Sequence, residues 1–247
     1  MDQASTKPGI TIFCPVYNEE ALVVRNTLRL LSFLHRTFPA GSFDVILASN
    51  GSDDRTVPLI EGLCRDYPEL SFFHLPEKGV GTAFAEGVRR SSRQLFMTVD
   101  MDLSHDLSFL PRAAELLARC DMVIGSKITG DQKRPFLRKA VSNLFIILAR
   151  LLLGIGFHDY SIAAKAYRTD MARKYLAYTD RQTFYVIRIA YEAVREGRRL
   201  SEIPVDCHDM RGSRFNLMHE GVYKFGNLFL LWFRELVSGR LFRKGGR

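Results

Sequence analysis

Four cysteines in 247 residues leave little room for cysteine chemistry. Cys14, Cys64, Cys120 and Cys207 lie far apart. No pair has C-x-x-C spacing, which argues against a zinc site and a redox dithiol. Such cysteine usage suits a reducing compartment better than a disulfide framework. Long apolar runs are also missing. LFIILARLLLGIGF, Leu144 to Phe157, is interrupted by Arg150, and NLFLLWF, Asn227 to Phe233, is shorter still. A spanning helix needs about 20 apolar residues, so neither run spans a bilayer by itself. The N-terminal MDQASTKPG has no basic segment followed by an apolar stretch, so no signal peptide is expected. No Walker A sequence occurs. The glycines Gly79 and Gly81 do not complete G-x-G-x-x-G, because Phe84 takes the third position. Acidic residues are in the minority, 27 against 35 Lys+Arg, for a formal charge of +8. That excess favours a polyanionic partner: nucleic acid, an anionic membrane or a phosphorylated substrate. Nucleic-acid binding rests on charge alone, without recognisable aromatic-basic interleaving, so no nucleic-acid partner is expected.

Hydrophobic residues make up 47% and charged residues 25%, an ordinary globular mix. Short apolar runs alternate with helical patterns through the first half. Strands are expected at Ile10–Val16, Phe43–Ser49, Leu70–Leu75, Gln94–Val99 and Asp121–Ser126. Helices are expected from Glu19 to about Phe38, from a cap at Asp53 or Asp54 through Leu63, after KGVG, and around Leu110–Ala118. This alternation predicts a mostly parallel sheet with helices on both faces. Ligands of such sheets bind beyond the C-terminal strand ends. Polar clusters follow all five strands: YNEE, SNGSDD, EKG, DMD and GSK. The second half is basic and apolar from Lys133 to Leu153, with a strand-like SEIPVDC (Ser201–Cys207) and a final helical region.

Asp100 and Asp102 stand one residue apart after the apolar run LFMTV. If the extended backbone continues past Val99, both carboxylates point the same way. Like charges so close raise each other's pKa unless a cation lies between them. A hard divalent ion, Mg²⁺ or Mn²⁺, resolves the repulsion. A helix starting near Asp106 would also favour acids here, so the pair alone leaves both readings open.

Other segments, taken in order, carry a resemblance. ITIFCPVYNEE, ILASNGSDDRT, KGVGTAFAEG, MTVDMDLSHD and RKAVSN together resemble the inverting glycosyltransferases of family 2, and within them the dolichol-phosphate mannosyltransferase group. The resemblance covers about Ile10 to Arg214. It implies an α/β GT-A fold, Rossmann-like, mostly parallel, with C-terminal amphipathic helices. One catalytic domain is expected over residues 1–215, including helices at about 134–157, and a basic amphipathic helix over 216–247. The resemblance places Pro15, Tyr17, Glu19, Asn50, Gly51, Asp54, Lys78 and Gly79 around the nucleotide-sugar, with Asp100. It assigns Asp100 and Asp102 to the metal. It groups Lys127, Arg138 and Ser142 with them as catalytic residues, and gives Arg138, Ser142, Ser213 and Arg214 to the acceptor phosphate. Ser49 and Asn50 replace a more usual acidic pair, Ser104 replaces a glutamine found in some members, and Lys127 stands where arginine is frequent.

The implied reaction moves a hexose, mannose from GDP-mannose foremost, onto polyprenyl or dolichyl phosphate with inversion. A UDP-sugar such as UDP-glucose is the alternative donor, and a non-catalytic nucleotide-sugar or membrane-surface binding module is the alternative class. The cationic run Lys127, Lys133, Arg134, Arg138 and Lys139 would bring two anions together. The helices around Lys139–Leu153 and at the C-terminus, with Trp232, Arg234, Arg240, Arg243 and Lys244, suit a membrane interface. They equally suit packing on the sheet, on a second copy or on a membrane-protein partner. A cytoplasmic, peripherally membrane-associated protein is expected. His105 is read as either a site residue or a structural one. His74, Tyr185 and Tyr191 are read as structural.

Overall fold

The computed structural model describes residues 9–127, 136–160, 162–207 and 217–240. Strand β1 (Ile10–Val16) is buried along its length except at Pro15. Ile10, Ile12, Cys14 and Val16 join one apolar core and Phe13 joins another. The two-residue period of a strand makes that division, and helices on both faces make both sides dry.

Strands β2 (Phe43–Asn50), β3 (Leu70–Leu75), β4 (Leu95–Thr98), β5 (Met122–Ser126), β6 (Lys165–Arg168) and β7 (Leu200–Pro204) complete a seven-stranded sheet in the order β3-β2-β1-β4-β6-β5-β7. The pairs β3–β2, β2–β1, β1–β4 and β5–β7 are parallel. Only β6 runs antiparallel to its neighbours β4 and β5. The sheet is the expected mostly parallel one. The sequence reading left β6 out, because Lys165 heads it and it is only four residues long. Its direction brings its first residue, Lys165, level with Thr98 at the end of β4.

Helices α1 (Val23–Thr37), α2 (Thr56–Asp66) and α4 (Phe109–Leu116) pack on one face, through Leu30, Leu34, Ile60 and Leu110. Helices α3 (Val80–Arg90), α5 (Phe136–Leu153), α6 (Thr169–Lys174), α7 (Tyr185–Arg195) and α8 (Leu217–Val237) contribute to the other core. Phe84 of α3 anchors that core. Its ring stacks on Tyr185 at 4.5 Å and meets Phe96 and Tyr167 edge-on. Burying such a ring contributes roughly 1.5–3 kcal/mol. Phe84, the residue that breaks the dinucleotide fingerprint, is therefore a core residue, as are Tyr185 and Tyr191.

Element boundaries differ from the expectation at two helix starts. Glu19 does not begin α1; its carbonyl accepts the amides of Leu22 and Val23 and closes a turn first. Helix α2 begins at Thr56, and the Asp54 carboxylate receives the Thr56 amide at 2.9 Å just outside it. Lys133, Arg134, Ser213, Arg214, Arg243 and Lys244 lie outside the described residues.

Candidate active site

The loops after β1, β2 and β3 are tied to one another at the open edge of the sheet. Asn18 and Asp53 bond reciprocally: the Asn18 amide group donates to the Asp53 carboxylate at 2.6 Å, and the Asp53 N–H donates to Asn18 Oδ1 at 2.9 Å. The Glu19 N–H donates to Thr56 Oγ1 at 2.8 Å. Burial pushes the Asp54 carboxyl up, but hydrogen bonds from Thr56 and the Glu20 amide outweigh it and hold the group below the usual range. The Gly79 N–H donates to Asn50 Oδ1 at 2.6 Å. Gly51 has φ +73°, and a Cβ there would stand 2.7 Å from the Lys78 nitrogen. Lys78 Nζ sits 3.9 Å from the centre of the Tyr17 ring, a cation–π pair. Pro15, one strand residue before Val16, pairs with Ala48. The eight nucleotide-side positions named above thus lie on three neighbouring loops and strand ends. Ser49 is fully buried and bonds His74 at 3.0 Å, which gives that histidine a structural role.

The two acids do not continue the strand. β4 ends at Thr98, and the Leu103 N–H donates to the Asp100 carbonyl at 3.0 Å with Leu103 at φ 49°. Burial of Met101 and a bond from Asn26 Nδ2 to the Met101 carbonyl, 2.9 Å, fix this turn. The turn still keeps the carboxylates close. Burial, and next the Asp102 charge, push the Asp100 carboxyl up to about 6; Lys165 and Lys127 pull the other way. Asp102 Oδ1 accepts the Ser104 amide at 3.0 Å.

This donor set fits a divalent ion. Mg²⁺ and Mn²⁺ prefer hard oxygen donors, and Mg²⁺ sites are completed by one or two carboxylates, phosphate oxygens and water. Among the described residues no group of three or more His, Cys, Asp or Glu side chains is placed to hold a metal ion, and a site completed by phosphate and water needs none. His105 lies within reach of the charges of Asp102 and Lys165. It is 2% exposed, and neither ring nitrogen has a protein partner among the described residues. Burial pushes its imidazole down to about 4.

Cations face the acids from β5 and β6. Lys127 is buried at the end of β5, with Nζ 3.7 Å from the buried Asp159 and its own N–H 3.3 Å from the same carboxylate. Lys165 is fully buried, and its ammonium donates to the Ile162 carbonyl. Burial pushes it down to about 8, against the pull of Asp159 and Asp100. Sequence reasoning missed Asp159 and Lys165. The signal was a lone lysine opening a short apolar segment, KAYR, after a lone aspartate. Arg138 lies in the first turn of α5, four residues before the half-buried Ser142.

A family profile, glycosyl transferase family 2, matches residues 11–176, which hold the whole edge from Tyr17 to Lys165. The chain belongs to glycosyl transferase family 2. Its mixed α/β architecture is of the GT-A type. It is 25% identical over 250 residues to the glycosyltransferase AglD of Haloferax volcanii, across 98% of this chain and 40% of that protein. It is 27% identical over 217 residues to the polyprenol monophosphomannose synthase of Mycolicibacterium smegmatis, across 83% of this chain and 80% of that one. The fold of this family 2 chain is also that of the mannosyltransferase PcManGT from Pyrobaculum calidifontis, solved in complex with GDP-Man and Mn²⁺. The TM-score is 0.61 at 16% identity, over 95% of this chain and 65% of that one. The chain spans about half or less of the length of several curated relatives.

Proposed function

We propose that this chain transfers mannose from GDP-mannose to a polyprenyl or dolichyl phosphate, with inversion, at a membrane surface and with Mg²⁺ or Mn²⁺ bound. The observation that carries the reading is the mutually repelling pair Asp100 and Asp102 set opposite the buried Lys127. The relative whose name carries a polyprenol monophosphomannose product, matched over four fifths of both chains, supports the acceptor class.

Asp100 and Asp102 would hold the metal, which supplies Lewis-acid stabilisation of the diphosphate leaving group. The loops carrying Tyr17, Asn50, Asp54 and Gly79 orient the nucleotide. The acceptor phosphate has a second pKa near 6, so it is largely dianionic at neutral pH and needs no strong base. Its oxygen attacks the anomeric carbon from the side opposite the diphosphate. The carbon–oxygen bond to the diphosphate breaks, and the nucleoside diphosphate leaves with the electron pair. Lys127 and Arg138 offset the negative charge gathered by two anions. Ser142 and, outside the described residues, Ser213 and Arg214 complete the acceptor side.

Purified protein with polyprenyl phosphate, Mn²⁺ and labelled GDP-mannose should carry label into an organic extract. Label entering only from UDP-glucose would replace the donor. Asp102→Ala should lower transfer by about 100-fold or more while leaving the circular dichroism spectrum intact. Full turnover in that variant would remove the metal role of the acid pair.

A further inference from the structure

The glycines of KGVG are fitted to a neighbouring stretch of main chain. Residues 180–182, just ahead of α7, lie across the loop that joins β3 to α3. The Gly81 N–H, in the first turn of α3, donates to the Arg181 carbonyl at 3.2 Å. A Cβ on Gly81 would collide with the Asp180 carbonyl and stand 2.8 Å from that of Gln182. A Cβ on Gly79 would stand 3.1 Å from both the carbonyl and the Cγ of Arg181. Both glycines are buried. Three successive carbonyls thus occupy the start of this helix, where free N–H groups would otherwise attract an anion.

Asp180 gives this segment its shape. Its carboxylate accepts the N–H of Gln182 at 2.9 Å, the N–H of Tyr185 and the hydroxyl of Tyr223. One side chain so closes the turn into α7 and fastens it to α8. The Arg181 guanidinium also pairs with Glu77 in the β3–α3 loop. Both partners of that pair are largely exposed, so the main-chain contacts count for more. From its other side the same loop is held by the nucleotide-side residues. The Gly79 N–H bonds Asn50, and Lys78 lies over Tyr17.

We propose that residues 180–182 are a strap that keeps the β3–α3 loop in the shape that binds the donor nucleotide, with Asp180 as the positioning residue and Tyr223 as its anchor on α8. This rests on the nucleotide reading of Lys78 and Gly79 and adds Asp180 and Tyr223 to it. Neither residue needs to touch the nucleotide. Each acts through the main chain that Gly79 and Gly81 admit.

The test follows GDP binding with Mn²⁺ by calorimetry in the full chain. Asp180→Ala removes the three bonds and should raise the Kd by about 10-fold or more. Asp180→Asn keeps an acceptor oxygen and should recover part of the loss. Tyr223→Phe removes one hydroxyl and should raise the Kd by about 3- to 10-fold. In transfer assays the KM for the sugar nucleotide should rise alongside, while kcat at saturating donor and the KM for a short-chain prenyl phosphate stay near the parent's. Hydrogen exchange without nucleotide should quicken over residues 77–83 in Asp180→Ala, with β1 and β2 still protected. Should Asp180→Ala fail to fold, Asp180→Asn and Tyr223→Phe carry the same comparison. Unchanged exchange over residues 77–83 overturns the strap. Parental nucleotide affinity in the variants, with exchange quickened, overturns its role in donor binding. A parent that binds neither GDP nor UDP, while exchange responds, keeps the strap and removes the nucleotide reading of the loop instead.

Discussion

His105 is neutral in the fold because water cannot reach it, and that has a direction in pH. Its folded pKa, about 4, lies below the ordinary 6.5, so the unfolded chain binds the proton more tightly. The stability it represents is present above pH 6.5 and is lost as pH falls through about 4. Asp100 acts in the opposite sense over much of the same window, since its folded pKa of about 6 lies above 3.8. Comparing His105→Leu with the parent isolates the imidazole. Urea melts from pH 7 down to pH 4 should show the parent losing about 3 kcal/mol more than the variant. Parallel curves would mean that the ring is hydrated and titrates normally. The residues of this site were unequally legible in sequence. Tyr17, Asn50, Asp54 and the acid pair sit in continuous segments whose order is itself a signature. Lys165 and Asp159 carry no such signature, because a buried lysine and a surface lysine are the same letter. Only the antiparallel register that sets Lys165 beside Thr98 shows what it faces.

Elements show the same asymmetry. Five strands and the helices between them follow from apolar runs and breakers, but β6 does not, since four residues headed by a lysine lack a readable period. The turn at Asp100–Leu103 was also illegible; it depends on Asn26, far away in α1, holding the Met101 carbonyl. Close approach between elements gives a sharper prediction. A methyl group at Gly81 would collide with the Asp180 carbonyl and lie 2.8 Å from that of Gln182, both rigid main chain. Gly81→Ala should cost roughly 1–3 kcal/mol in denaturant melts. Gly62→Ala, inside α2 with nothing within 4 Å, should instead gain about 0.5–1 kcal/mol. Equal effects at both positions would contradict the packing of the Asp180 loop on α3. At the far end of α8, Glu235 is buried among Arg240 at 3.1 Å, Tyr191 at 3.3 Å, Arg195 at 3.5 Å and Arg188 at 3.7 Å. Removing one side of a buried pair costs about 3–5 kcal/mol. In Glu235→Ala, hydrogen exchange should therefore accelerate across α8 while β1 and β2 keep their protection. Unchanged exchange in α8 would show that its apolar stripe alone holds it.

The whole molecule distributes apolar surface to one side. Among the described residues, the large hydrophobic side chains exposed to solvent are Leu28 and a group on two adjoining helices. Leu144, Ile147 and Leu151 belong to α5; Val222, Phe229, Leu230, Phe233, Leu236 and Val237 belong to α8. Among the same residues no helix is long and apolar enough to cross a membrane. Arg150, Arg234 and Arg240 border this face. An apolar ridge rimmed by cations suits the boundary between headgroups and acyl chains, where apolar area and anionic lipid both add to binding. Replacing Leu230 and Phe233 with glutamate removes two apolar groups, each contributing roughly 1.5–3 kcal/mol when buried. Co-sedimentation with phosphatidylglycerol vesicles should fall by about 100-fold or more in the double variant. GDP binding with Mn²⁺ should stay unchanged, because the loops proposed to hold the nucleotide lie on other elements. Raising the salt should weaken the parent only in part, since the apolar share is not screened. If the double variant sediments with vesicles as the parent does, the ridge does not meet lipid. Should the parent then form a dimer in the ultracentrifuge that the variant cannot, the same surface belongs to a second copy of the chain.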